Sequence, residues 1–112
     1  MSGISWPKLR FFMKHNFYFV YILSNSRNTV LYIGITSDLN LRLWQHKNGF
    51  YKKAFTSRYG VDKLIYFEIY ESPFVAIKRE KILKKWKREW KFNLIRKKNF
   101  DLADLSDRFV GF

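Results

Sequence analysis

Two tyrosines stand in strand-like, mostly apolar runs: Tyr21 within residues 17–23 and Tyr32 within residues 30–35, with Gly34 two positions after the second. Downstream, Arg42 and His46 are four residues apart, so a helix presents them on one side. Glu80 comes later still; at about 100° per residue it falls beside Ala76 and Leu83, at the edge of an apolar helical stripe. A carboxylate in that position needs a partner, either a metal cation or an arginine. The chemistry open to these groups is specific. A phenol exchanges a proton, and a guanidinium grips a phosphate through a planar fork that lysine reproduces poorly. An imidazole takes up a proton near neutrality, and a carboxylate holds a hard divalent cation. Each residue alone also has an ordinary reading, a tyrosine in a sheet core or a solvated arginine on a helix.

The elements that would position these groups follow from the pattern of the chain. Residues 17–23 form an unbroken apolar, β-branched and aromatic run, which predicts a central strand buried on both faces. A polar stretch of about six residues then joins it to a second strand over residues 30–35 in an antiparallel hairpin. A third strand is expected over residues 64–70. Between the second and third, Thr36, Ser37 and Asp38 offer N-caps for a helix that runs to about Asn48 and ends at Gly49, burying Leu39, Leu43 and Trp44. Ser72 caps a long helix with Pro73 at its first position, and Ala76, Leu83, Trp86, Trp90 and Leu94 recur along it at close to helical spacing. A last short helix is expected over residues 101–107. The fold class is α/β (α+β), a small three-stranded, mainly antiparallel sheet flanked by helices.

Residues 1–16, with Ser2, Gly3, Pro7 and no sustained period, read as an N-terminal extension. Translation could begin at Met13, or Trp6, Leu9, Phe11 and Phe12 could pack as an arm. The domain then covers residues 17–98 and a tail covers 99–112. Length allows one domain with its own core. Against 22 Lys and Arg stand 9 Asp and Glu, a net charge of +13, which favours a polyanionic partner, with nucleic acid ahead of an anionic membrane. No segment is apolar enough to span a bilayer. The absence of cysteine excludes thiol nucleophiles and Cys-ligated zinc and fits a reducing, cytoplasmic setting.

In order and spacing, Val20-Tyr21-Ile22-Leu23, Leu31-Tyr32-Ile33-Gly34-Ile35-Thr36, the Arg42/His46 helix and Ala76-Ile77-Lys78-Arg79-Glu80-Lys81 resemble the GIY-YIG nuclease superfamily. The chain looks most like its small stand-alone bacterial members, related to the N-terminal nuclease domain of the excinuclease C subunit, and the resemblance covers about residues 17–98. It implies an endonuclease that hydrolyses phosphodiester bonds of nucleic acid, DNA first, in repair or recombination. It also implies roles. Tyr21 is the base that activates water, Tyr32 orients water or phosphate, Arg42 binds the phosphate, and His46 accepts a proton or bonds the phosphate. Glu80 is the ligand of a single Mg²⁺ or Mn²⁺. The family's late asparagine corresponds to Asn93, at a spacing that fits less well. Two departures stand out: Phe19 replaces the glycine of the first signature, and Ile35 stands where some members carry lysine.

Lys84, Lys87, Arg88 and Lys91, with Arg96-Lys97-Lys98, would make the outer face of the long helix cationic, and Lys52, Lys53, Arg58 and Tyr59 would extend a phosphate-tracking surface. Two alternatives to a self-sufficient enzyme remain. One is a nucleic-acid-binding module without turnover; the other is an accessory nuclease whose protein partner supplies specificity.

Overall fold

The computed structural model describes residues 17–48 and 59–109. The extension over residues 1–16, Gly49, Lys52, Lys53 and Arg58 lie outside them. Three antiparallel strands form one sheet: β1 (Tyr18–Ser24), β2 (Leu31–Thr36) and β3 (Lys63–Tyr70), in the order β2-β1-β3. The first strand is central, as its continuous apolar sequence requires, and every residue from Phe19 to Ser24 is buried.

The β1–β2 hairpin turns through an asparagine pair. The Asn25 side chain accepts from the Thr29 and Val30 amides at 2.8 and 3.1 Å, and Asn28 takes a left-handed φ of 57°, a conformation asparagine tolerates better than most residues. Between β1 and β3 the register shifts at Ile22/Leu23, so that Ile65 is an extra residue on β3. Ile65 and Tyr66 consequently face the same side, and the local twist rises.

Alternation along the strands divides the core in two. On one face, Phe19, Tyr21, Leu23, Phe67 and Ile69 pack against Leu39 and Leu43 of helix α1 (Leu39–Lys47) and against Leu105 of a terminal 3₁₀ turn, Leu105–Phe109. On the other, Val20, Ile22, Ile33 and Ile65 meet Ala76 and Leu83 of helix α2 (Pro73–Lys85) and Ile95 of helix α3 (Arg88–Arg96). Asp38 caps α1 by accepting from the Leu41 amide, and Ser72 caps α2 with Pro73 behind it.

The expected single long helix is in fact two. Trp86 and Lys87 both take extended backbone, with ψ near 150°. At about 1.5 Å per residue, a straight α2 would carry residue 95 well beyond the sheet that Ala76 and Leu83 cover. The bend folds Ile95 back onto it. Trp90, expected in the buried stripe, is 48% exposed, as is Trp44 on α1 at 56%; Ile95 is buried instead. The last helix shifts to Leu105–Phe109. Ahead of it, Asn99 is buried and donates to the carbonyls of Ile65 and Ala103, so this part of the chain is pinned to the sheet.

One partly buried carboxylate fixes α2 against β3. Glu68 accepts from Arg79 Nε at 2.9 Å and Nη2 at 3.0 Å, and from the hydroxyls of Tyr66 and Tyr70 at 2.6 Å each. Burial alone would raise its pKa, but these hydrogen bonds outweigh it and hold the carboxyl below its ordinary value. Burial, and then the bond to Glu68, push both phenols well above theirs. Among the described residues no helix is long and apolar enough to cross a membrane.

Candidate active site

Tyr21 belongs to the central strand, yet its hydroxyl is delivered over the edge strand. Its backbone partner across the ladder is Gly34, and the ring lies over that glycine so closely that a Cβ there would come within 2.5 Å of the Tyr21 ring carbon Cζ and hydroxyl. Gly34 therefore serves the site by lacking a side chain. A Gly34→Ala variant is expected to push the buried ring aside and lose about 1–3 kcal/mol of stability. Urea unfolding would show it, and unchanged stability would mean that the ring has an easy alternative position.

Beyond Gly34 the ring meets two others. Tyr21 and Tyr32 have centroids 6.3 Å apart, Tyr21 and His46 6.2 Å, and Tyr32 and His46 5.7 Å. The Tyr21 hydroxyl and His46 Nε2 are 3.5 Å apart, at the outer limit of a hydrogen bond. Three groups read from the sequence as candidates thus form one aromatic triangle. Tyr32 and His46 are half-buried, whereas Tyr21 is fully buried. Arg42 lies one turn before His46 on α1 and is partly buried.

The charge state of His46 follows from this setting. Burial first, and then the Arg42 charge, lower its pKa from the ordinary 6.5, with Asp62 opposing them. The ring is therefore neutral at pH 7. An NMR titration is expected to place the His46 midpoint below 6.5, and Arg42→Gln should move it upward; a midpoint above 6.5 in the wild type would contradict this electrostatic picture. The linkage has a definite sign. The unfolded chain binds the proton more readily, so the His46 contribution to stability is complete above pH 6.5 and is lost as pH falls through the lowered midpoint.

Glu80 is carried by α2, in the layer covering the opposite face of the sheet. Its side chain is 14% exposed and pairs with Lys84 Nζ at 2.8 Å, one turn on. The sequence placed this carboxylate at the margin of the apolar stripe and asked for a partner; lysine fills that role here. Among the described residues, no three His, Cys, Asp or Glu side chains gather into a closed metal cage. One carboxylate nevertheless suits a hard cation that keeps several waters and takes phosphate oxygens.

The remaining candidates are spread over the surface. Lys84, Lys87, Arg88 and Asn93 are exposed along α2 and α3, and Lys91 is partly buried, its pKa lowered by burial and by Arg88. Tyr59 is exposed, beside a polar cavity of about 690 Å³ near the hairpin turn. Sequence reasoning passed over Glu68 and Arg79. The signal was present: a carboxylate inside an apolar strand with tyrosines two positions to either side shares one face with both.

Comparison with known proteins adds a family. The family described as the GIY-YIG catalytic domain matches residues 17–93, a span that contains Tyr21, Tyr32, Gly34, Arg42, His46, Glu80 and Asn93. A UPF0213 protein from Clostridium perfringens is 40% identical over 81 residues, 72% of this chain and 85% of that protein. Another from Staphylococcus aureus is 37% identical over 81 residues, covering 72% and 96%. The solution NMR structure of a UPF0213 protein from Bacillus halodurans superposes with a TM-score of 0.49 at 28% identity, covering 74% of this chain and 86% of that one.

Proposed function

Because the chain belongs to the GIY-YIG catalytic-domain family, a nuclease family, we propose that it is a divalent-metal-dependent endonuclease cutting phosphodiester bonds of nucleic acid, DNA first, in repair or recombination. The observation that supports this most is the Tyr21–Tyr32–His46 triangle at Gly34, with Arg42 one turn away. As a water held at this triangle passes a proton to the Tyr21 oxygen, the Tyr21 hydroxyl proton passes to Nε2 of the neutral His46 beside it. Tyr32 orients the water or the phosphate. Arg42 grips the phosphate oxygens and balances their growing charge. Glu80 would hold a single Mg²⁺ or Mn²⁺, in place of its present pairing with Lys84. Bound there, such a cation would supply Lewis-acid stabilisation of the departing oxygen. The phosphate is then approached from both sides of β2, by α1 on one face and α2 on the other. A chain without cysteine suits work in the cytoplasm.

Purified protein incubated with duplex, single-stranded and branched DNA and with RNA, in Mg²⁺, Mn²⁺ or chelator, tests this reading. Nicking or cleavage that needs the metal is expected on at least one DNA. Tight binding with no cleavage of any substrate would favour a binding module without turnover. Cleavage that appears only with a second protein would favour the accessory role.

A further inference from the structure

Helix α3 buries Ile95 and packs Phe92 and Leu94 against the same core, yet it turns the Trp90 ring outward. Trp90 is nearly half exposed, and Trp86 meets it edge-on with centroids 6.2 Å apart. The Lys87 ammonium lies 5.6 Å from the Trp90 ring centre. One turn around, the guanidiniums of Arg88 and Arg96 both stack on Phe92, at 5.1 and 5.4 Å. Beside Phe92 lies an open groove of about 430 Å³, bordered by Lys87, Arg88, Glu89, Phe92, Asn93 and Arg96.

Cations set over partly open rings, Lys87 over Trp90 and Arg88 and Arg96 over Phe92, match a ligand that repeats negative charge and flat apolar surface. The charge argues for nucleic acid: Lys87, Arg88, Lys91 and Arg96 face only Glu89 on this helix, in a chain of net charge +13. The rings argue for its single-stranded form. In a duplex the base faces are covered by their neighbours, whereas unpaired bases stack on aromatic side chains without regard to sequence. Arginines already stacked on Phe92 are held flat and lose less freedom on gripping a phosphate.

We propose that the outer face of α3, centred on Trp90, is a stacking platform for unpaired bases of a single-stranded DNA segment. This rests on the nuclease reading and specifies the strand state that the enzyme takes. The platform is tied to the candidate site through Arg88, whose Nη2 donates to the carbonyls of Asn28 and Thr29 at 3.3 and 2.7 Å. Those carbonyls belong to the turn leading directly into β2, the strand of Tyr32 and Gly34. A segment lying along α3 is thereby set at a constant offset from the edge strand.

The test is binding in chelator, where no cleavage occurs. Wild type, Trp90→Leu and Trp90→Phe are titrated with fluorescent oligo(dT), an abasic strand of equal length and charge, and a duplex. Wild type should bind oligo(dT) about tenfold more tightly than the abasic strand. Trp90→Leu should lose that margin while binding the abasic strand as before, and Trp90→Phe should keep most of it. Equal binding of oligo(dT) and the abasic strand by wild type overturns the proposal, as does a Trp90→Leu loss that is the same for both. A duplex bound as tightly as oligo(dT), with the same dependence on Trp90, overturns the preference for single strands. In each of these cases the protein still binds DNA and the nuclease reading stands; failure to bind any strand would bring that reading down as well.

Discussion

Tyr21→Phe is expected to lower metal-dependent cleavage by about 10²–10⁴-fold, the range general-base catalysis contributes, while leaving the fold intact. The phenylalanine ring fills the same buried volume over Gly34, so packing of the central strand is conserved. Only the oxygen 3.5 Å from His46 is lost. Single-turnover rates at saturating DNA, beside unfolding curves, separate the two effects. A variant that cleaves at the wild-type rate would remove Tyr21 from the mechanism and leave it as core. A variant that is slow because it is unfolded would also fail the expectation.

Glu80→Ala should be comparably severe. The charge stabilisation lost with a bound cation is worth several kcal/mol, about a thousandfold in rate. Stability should hardly change, because the pair with Lys84 is an (i, i+4) contact worth only about 0.2–0.5 kcal/mol. Mn²⁺ gives a readout independent of turnover. In wild type it should broaden NMR signals around Glu80 and Lys84, and in the variant that broadening should vanish. Broadening that persists in Glu80→Ala would place the metal elsewhere.

Much of the fold was legible because single-segment patterns carried it. The unbroken run from Phe17 to Leu23 announced a strand covered on both sides, and Asp38 and Ser72 announced their helices. The break at Trp86-Lys87 was illegible for an equally physical reason. Residues 84–88 contain no glycine, proline or capping side chain, and apolar residues continue at helical spacing across them. The bend is imposed from a distance, by the sheet that receives Ile95.

The candidate site divides in the same way. Tyr21, Tyr32, Arg42 and His46 could be read as a set through their resemblance to the GIY-YIG motifs, and a hairpin and the next helix bring Tyr21, Tyr32 and His46 together. Glu80 could be picked out by its helical phase, but its lysine partner and its layer could not. The role of Gly34 depends on a pairing across two strands, Tyr21 with Gly34, that no local window contains. Glu68 was signalled by its place between Tyr66 and Tyr70, but its principal partner, Arg79, comes from another element and could not be read locally.

The central strand is also the first of the three to be synthesised. Its hairpin partner follows at once, but the strand that covers its other side begins only at Lys63, after α1 and a long connection. During synthesis, β1 therefore waits with one row of backbone groups unpaired and an apolar sequence on both faces, the state most open to pairing with a neighbouring chain. Docking of β3 closes this interval and should be the slow step of folding, since it joins residues far apart in the chain. Protection of β1 amides on its β3 side should then lag behind protection on its β2 side in pulsed hydrogen exchange during refolding.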